Sequence, residues 1–171
     1  MKSTLLLVCT ASSLAACSSF QYEIPAGSPR ASLTLRNAAG PGRVSMTTHQ
    51  KPDCTDAGKA VPHEAIAPGG EATVQVEAGK PLVFAIQTLR PLFAGVDVAI
   101  VNNTAAVNTC HVAGTFVPAP NGRYVALITD DTKTCHVEVR DASSNTVAAG
   151  FEERTWFYPT MTKGWHCGSG F

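Results

Sequence analysis

The chain has 171 residues, 44% of them apolar, 15% charged and 7% aromatic, with 14 Gly and 11 Pro. A chain of this size suits one domain, and about 150 residues bury roughly 68–70% of their unfolded surface, enough for a core without metals or oligomerisation. Its 13 basic side chains cancel 13 acidic ones. That balance excludes the basic footprint of a nucleic-acid binder and a polybasic membrane patch, and with the apolar fraction it argues against disorder.

The chain opens with Lys2, then an apolar run through Leu5, Leu6, Leu7, Val8 and Leu14, then the small residues Ala15 and Ala16. This is the build of a secretory leader, too short to remain in a bilayer as a spanning helix. Its end, Leu14-Ala15-Ala16-Cys17, resembles the lipobox of bacterial lipoproteins. The resemblance implies cleavage between Ala16 and Cys17, a diacylglycerol on the Cys17 thiol, and a palmitate-type acyl chain on the new amine. Each buried methylene is worth about 0.8 kcal/mol, so one chain anchors marginally and two or three hold durably. Ser18, where inner-membrane lipoproteins of Gram-negative cells commonly carry Asp, resembles an outer-membrane sorting residue and implies a domain facing the periplasm. Residues 1–16 are therefore expected to be a signal peptide, and loss of Lys2 leaves the mature chain one net negative charge. Beyond the lipid, no cofactor is expected.

Residues 17–30 combine the lipidated cysteine with small residues, Pro and Gly, and read as a short tether. Period-2 alternation follows. Leu33 and Leu35 alternate with Ser32, Thr34 and Arg36; Val44 and Met46 with Ser45 and Thr47; Ala72, Val74 and Val76 with Thr73, Gln75 and Glu77. Residues 81–87 form a more continuously apolar strand, and 96–100, 111–117, 124–128, 136–139 and 155–158 are further β-branched or aromatic runs. No stretch sustains an amphipathic helical pattern for three turns. The expectation is an all-β, antiparallel β-sandwich of about eight or nine short strands over residues 31–160. Residues 161–171 form a C-terminal tail.

Asn121-Gly122 is a favoured pair for a turn needing positive φ, with strand patterns on both sides. A hairpin there, followed by a turn at Asp130-Asp131, predicts a three-stranded meander through residues 111–140. The turn Ala78-Gly79-Lys80-Pro81, this hairpin and Cys135-His136-Val137-Glu138-Val139 together resemble small β-sandwich lipoproteins of Gram-negative envelopes. That resemblance implies a fold and no mechanism.

Once Cys9 leaves with the leader and Cys17 takes lipid, Cys54, Cys110, Cys135 and Cys167 remain. An even number in an exported chain predicts two disulfides, with three possible connectivities. The preferred pairing joins Cys110 to Cys135 and Cys54 to Cys167, the second tying an early loop to the tail. The first pair carries a condition: the outer strands of a flat meander lie about 9.6 Å apart, too far for a bridge. One strand must then lie in the other sheet, or the sheet must bend.

Histidines adjoin cysteines at His111, His136 and His166, and with His49 and His63 supply five imidazoles, without any compact metal-module spacing. The C-terminal aromatics make Trp156, Tyr158 and Trp165 the candidate partner surface, for an envelope protein or a glycan. No catalytic residue is assigned, since Asp130-Asp131 and Glu152-Glu153 read as a turn and a solvated segment. The sequence thus predicts a membrane-anchored, non-catalytic structural or binding module that does not touch nucleic acid. Two other readings stay open: a periplasmic Cu/Zn-binding protein using His111 and His136, and an envelope hydrolase whose site is assembled across strands.

Overall fold

The computed structural model describes residues 22–40, 42–62, 64–89, 109–130, 134–157 and 166–168. Among the described residues there are ten strands: β1 (Arg30–Ala38), β2 (Arg43–His49), β3 (Lys59–Ala60), β4 (Glu71–Glu77), β5 (Leu82–Leu89), β6 (Thr109–Phe116), β7 (Arg123–Asp130), β8 (Cys135–Asp141), β9 (Glu152–Phe157) and β10 (His166–Gly168). The described residues include no helix, and none is long and apolar enough to cross a membrane. The predicted strand at 96–100 lies outside the described residues.

The strands form two sheets, ordered β4-β1-β7-β8 and β10-β9-β6-β5-β2-β3. All pairs are antiparallel except β1 with β7, which run parallel. The alternation in sequence becomes the two-sided burial of a sandwich. Leu33 and Leu35 on β1 and Ala126 and Ile128 on β7 turn inward from the smaller sheet, facing Val44, Met46, Phe84 and Ile86 of the larger one. All eight are almost fully buried, and each large aliphatic or aromatic side chain so buried contributes about 1.5–3 kcal/mol.

β5 shows why one run looked continuously apolar. Phe84 and Ile86 belong to the core between the sheets, whereas Val83 and Ala85 face a second cluster with Cys54, Ala113, Trp156 and Cys167. The larger sheet is covered on its outer face too, and the residue-by-residue burial of β5 follows.

The predicted meander is corrected. β6 pairs with β5 and β9 in the larger sheet, while β7 pairs with β8 and β1 in the smaller. Residues 117–122 therefore form an arch between sheets rather than a hairpin. Asn121 takes the positive φ of 61°, but its N–H donates to the Arg30 carbonyl, and the Gly122 carbonyl accepts from Ser32 N–H at 2.9 Å. These bonds hand the chain to β1 and start the parallel pairing. Pro118 and Pro120 offer no N–H to the ladder that a hairpin would need. Glu152 and Glu153, expected in a solvated segment, are exposed at the start of β9.

Both disulfides are present, Cys54–Cys167 with Cα atoms 5.3 Å apart and Cys110–Cys135 with Cα atoms 5.7 Å apart. The sheet change at the arch meets the condition on the second pair, because β6 and β8 face each other across the sandwich. The first pair pins the loop after β2, and with it the outer cluster, to β10.

Candidate functional site

Ala16 and Cys17, the expected cleavage and lipidation residues, lie outside the described residues, as do Tyr158, Trp165 and His63. Tyr22 already packs against the core, and its Oη accepts the Glu77 N–H at 2.9 Å. Burial raises the Tyr22 phenol pKa above its ordinary value. The segment before β1 is thus docked on the end of β4 several residues before the first strand begins.

That docking builds one wall of a groove of ≈ 470 Å³, lined by Tyr22, His49, Asp56, Lys59, Glu77 and Lys80 among others. Glu77 is its organised carboxylate: Lys80 Nζ lies 2.8 Å away, and Ser28 Oγ donates to it at 3.0 Å. The hydrogen bond from Lys80, then that from Ser28, hold its pKa below the ordinary carboxylate range. On the opposite side His49 Nδ1 sits 3.3 Å from Asp56 Oδ1. Burial pushes the Asp56 pKa up, but the N–H groups of Gln50 and Lys51 and the charge of His49 outweigh it, so the net shift is downward. The His49 side chain is only 5% exposed, and its Nε2 is buried without a hydrogen-bond partner. The strand alternation does not point to this groove. Its residues come from four separate segments, and the one signal in sequence was a histidine at the end of an alternating strand.

The structure does not bring His111 and His136 together. His111 lies on the outer face of the larger sheet, edge-on to Trp156 with ring centroids 5.2 Å apart. Desolvation lowers its pKa below 6.5. His136 belongs to β8 in the other sheet, and both of its ring nitrogens are engaged, Nδ1 at 3.1 Å from Glu153 Oε1 and Nε2 at 3.2 Å from Thr134 Oγ1. The second Glu153 oxygen accepts Val137 N–H at 2.8 Å. That carboxylate closes part of the outer edge of β8, where an unpaired N–H would invite another strand. Among the described residues, one group of three metal donors converges, and it is neither histidine: Cys110, Asp130 and Cys135, with ligand atoms within 4.8 Å of one another.

Trp156 is corrected as part of the candidate partner surface, because it is buried. It is 8% exposed and packs with Val83, Ala85, Ala113 and the Cys54–Cys167 bridge. The register explains this, because Trp156 stands opposite Cys167 on β10 and is covered by the segment that disulfide holds down. Neither models of known protein families nor curated proteins match the chain.

Proposed function

We propose that this protein is a lipid-anchored component of the bacterial cell envelope. A disulfide-stapled β-sandwich is held against the outer membrane, facing the periplasm, and works as a non-catalytic binding module. The observation that carries this reading is the docking of Tyr22 on β4. Four residues separate Tyr22 from Cys17, and the five Cα-to-Cα steps between them reach at most about 18 Å when extended. A diacylglycerol on Cys17 would hold the Tyr22 end of the sandwich close to the bilayer surface, with little freedom to swing away. The groove between Tyr22, His49 and Lys80 would then open beside the membrane.

The groove favours a polar occupant. It combines ammonium groups of Lys59 and Lys80, carboxylates of Asp56 and Glu77, and the ring of Tyr22, donors and acceptors suited to a glycan or a polar segment of an envelope protein. With a net charge near zero, recognition rests on these local contacts rather than on long-range steering. Oxidising conditions suit a domain whose four remaining cysteines are paired.

Cell fractionation tests the reading. The wild-type chain should sediment with outer membrane and carry a mass increment on the peptide beginning at Cys17. Cys17→Ala should appear in the soluble periplasmic fraction with an unshifted fold. A wild-type chain recovered soluble and unacylated would overturn the proposal.

A further inference from the structure

The two disulfides differ in surroundings. Cys54 and Cys167 are 2% and 5% exposed and sit inside the outer cluster. Cys110 and Cys135 are only partly buried, at one end of the sandwich, and the Asp130 carboxylate stands beside both sulfurs. Thr88 Oγ1 lies 3.8 Å from Cys135 Sγ. An accessible disulfide exchanges with external thiols, whereas a buried one is shielded from them.

Reduction changes the electrostatics of this corner. The disulfide is neutral and tolerates a carboxylate beside it. The reduced pair is two thiols beside that carboxylate; losing both protons would place three anionic donors within one small volume, which a bound cation makes favourable. Tetrahedral zinc takes thiolate sulfur at about 2.3 Å and carboxylate oxygen at about 2.0–2.2 Å, which puts these donor atoms about 3.5–3.8 Å from one another. The three donors already lie within 4.8 Å of one another, and the Cα atoms of the two cysteines are 5.7 Å apart. Closing onto a metal therefore asks for side-chain adjustment and no rearrangement of strands.

We propose that Cys110, Cys135 and Asp130 form a redox-gated site for a borderline-soft divalent cation such as Zn²⁺, closed as a disulfide and open to metal when reduced. A dithiol reductant supplies two electrons and two protons to the Cys110–Cys135 bond and is itself oxidised to a disulfide. The cation then displaces the two thiol protons, binds both sulfurs and one Asp130 oxygen, and leaves a fourth position for water. The Thr88 hydroxyl is placed to hydrogen-bond the Cys135 sulfur from outside the ligand set. The inference is independent of the lipid anchor.

The test uses the detergent-solubilised full chain, reduced with a phosphine and desalted without oxygen. Zn²⁺ is titrated against a chromophoric chelator, and Co²⁺ serves as a spectroscopic probe. The reduced protein should bind one Zn²⁺ and show thiolate-to-cobalt charge-transfer absorption; the oxidised protein should do neither. The Cys110→Ser/Cys135→Ser double variant, which keeps the other cysteine pair, should lose both signals after the same reduction. Asp130→Asn keeps both crosslinks and should weaken Zn²⁺ binding at least about tenfold, the lower end of what losing even a supporting partner costs a metal site. Binding equal to that of the double variant, an unchanged affinity in Asp130→Asn, or a reduced chain that loses its β-sheet circular dichroism and does not regain it with Zn²⁺ would each overturn the proposal.

Discussion

His111 ties packing to pH. Its ring stands edge-on to Trp156, and desolvation lowers its pKa below the ordinary value of 6.5. The unfolded chain therefore binds a proton here at a higher pH than the native one. Stability from this residue is fully present above about pH 6.5 and falls as pH drops from there through the lower native value. Urea midpoints measured from pH 7.5 downward should decline across that window, and His111→Gln should flatten that part of the profile. An identical slope in the variant would remove His111 as the cause. The carboxylates with lowered pKa values, Asp53, Asp56, Glu77 and Asp141, do not confuse this test, because they titrate below their ordinary 3.8–4.5. At the same scale Asn37 marks how far sequence can be read. It follows Leu33 and Leu35 in the inward phase of β1, so alternation places a polar side chain in the core, where it must be hydrogen-bonded. It is 1% exposed, and its Nδ2 donates to the carbonyls of Gly42 and Ile66 while Oδ1 accepts Ala39 N–H. The need for partners was legible in the alternation. Ile66 as one of them was not, since nothing local to β1 points to a loop 29 residues away.

Strands are local objects and sheets are not, and the arch at residues 117–122 shows the difference. Alternation in β1, β2, β4, β7 and β8 marks each strand and its buried face, because one side of each packs and the other is solvated. Which strand pairs with which depends on backbone groups far apart in sequence. The arch is fixed by Tyr124, whose Oη accepts Ala119 N–H at 2.9 Å and whose ring meets Phe116 edge-on at 5.0 Å. That ring lies over Gly122: a Cβ there would sit 2.6 Å from Tyr124 Cε2 and 2.9 Å from the Ala119 carbonyl oxygen. Gly122 is not among the positive-φ glycines, so its backbone would accept alanine and the penalty is purely steric. Gly122→Ala should destabilise by about 1–3 kcal/mol, the usual cost of overpacking. In an open position the same change would stabilise by about 0.4–1 kcal/mol through the unfolded state. Equilibrium unfolding in urea distinguishes the two by sign, and a stabilised variant would mean that the ring does not cover the glycine.

At the scale of the molecule, the two crosslinks divide the labour of holding a sandwich with many long-range pairings. The cysteine count and the oxidising compartment implied by the leader made two disulfides legible. The objection that a flat meander would hold Cys110 too far from Cys135 was sound, and it was the meander that failed. Cys110–Cys135 spans 25 residues and joins the sheets, whereas Cys54–Cys167 spans 113 and clamps the outer cluster. In the chain-entropy picture the first stabilises by about 3.5 kcal/mol and the second by about 5 kcal/mol. Access runs the other way, since the longer crosslink is the buried one. Graded reduction under native conditions should therefore open Cys110–Cys135 first and leave a folded protein with Cys54–Cys167 intact. The second bond should yield only as the sandwich unfolds. Alkylation followed by peptide mapping at each reductant concentration reads the order directly. Simultaneous loss of both bonds, or prior loss of Cys54–Cys167, would mean that the outer cluster opens more easily than its burial implies, and that the larger sheet is covered on one face only in its resting state.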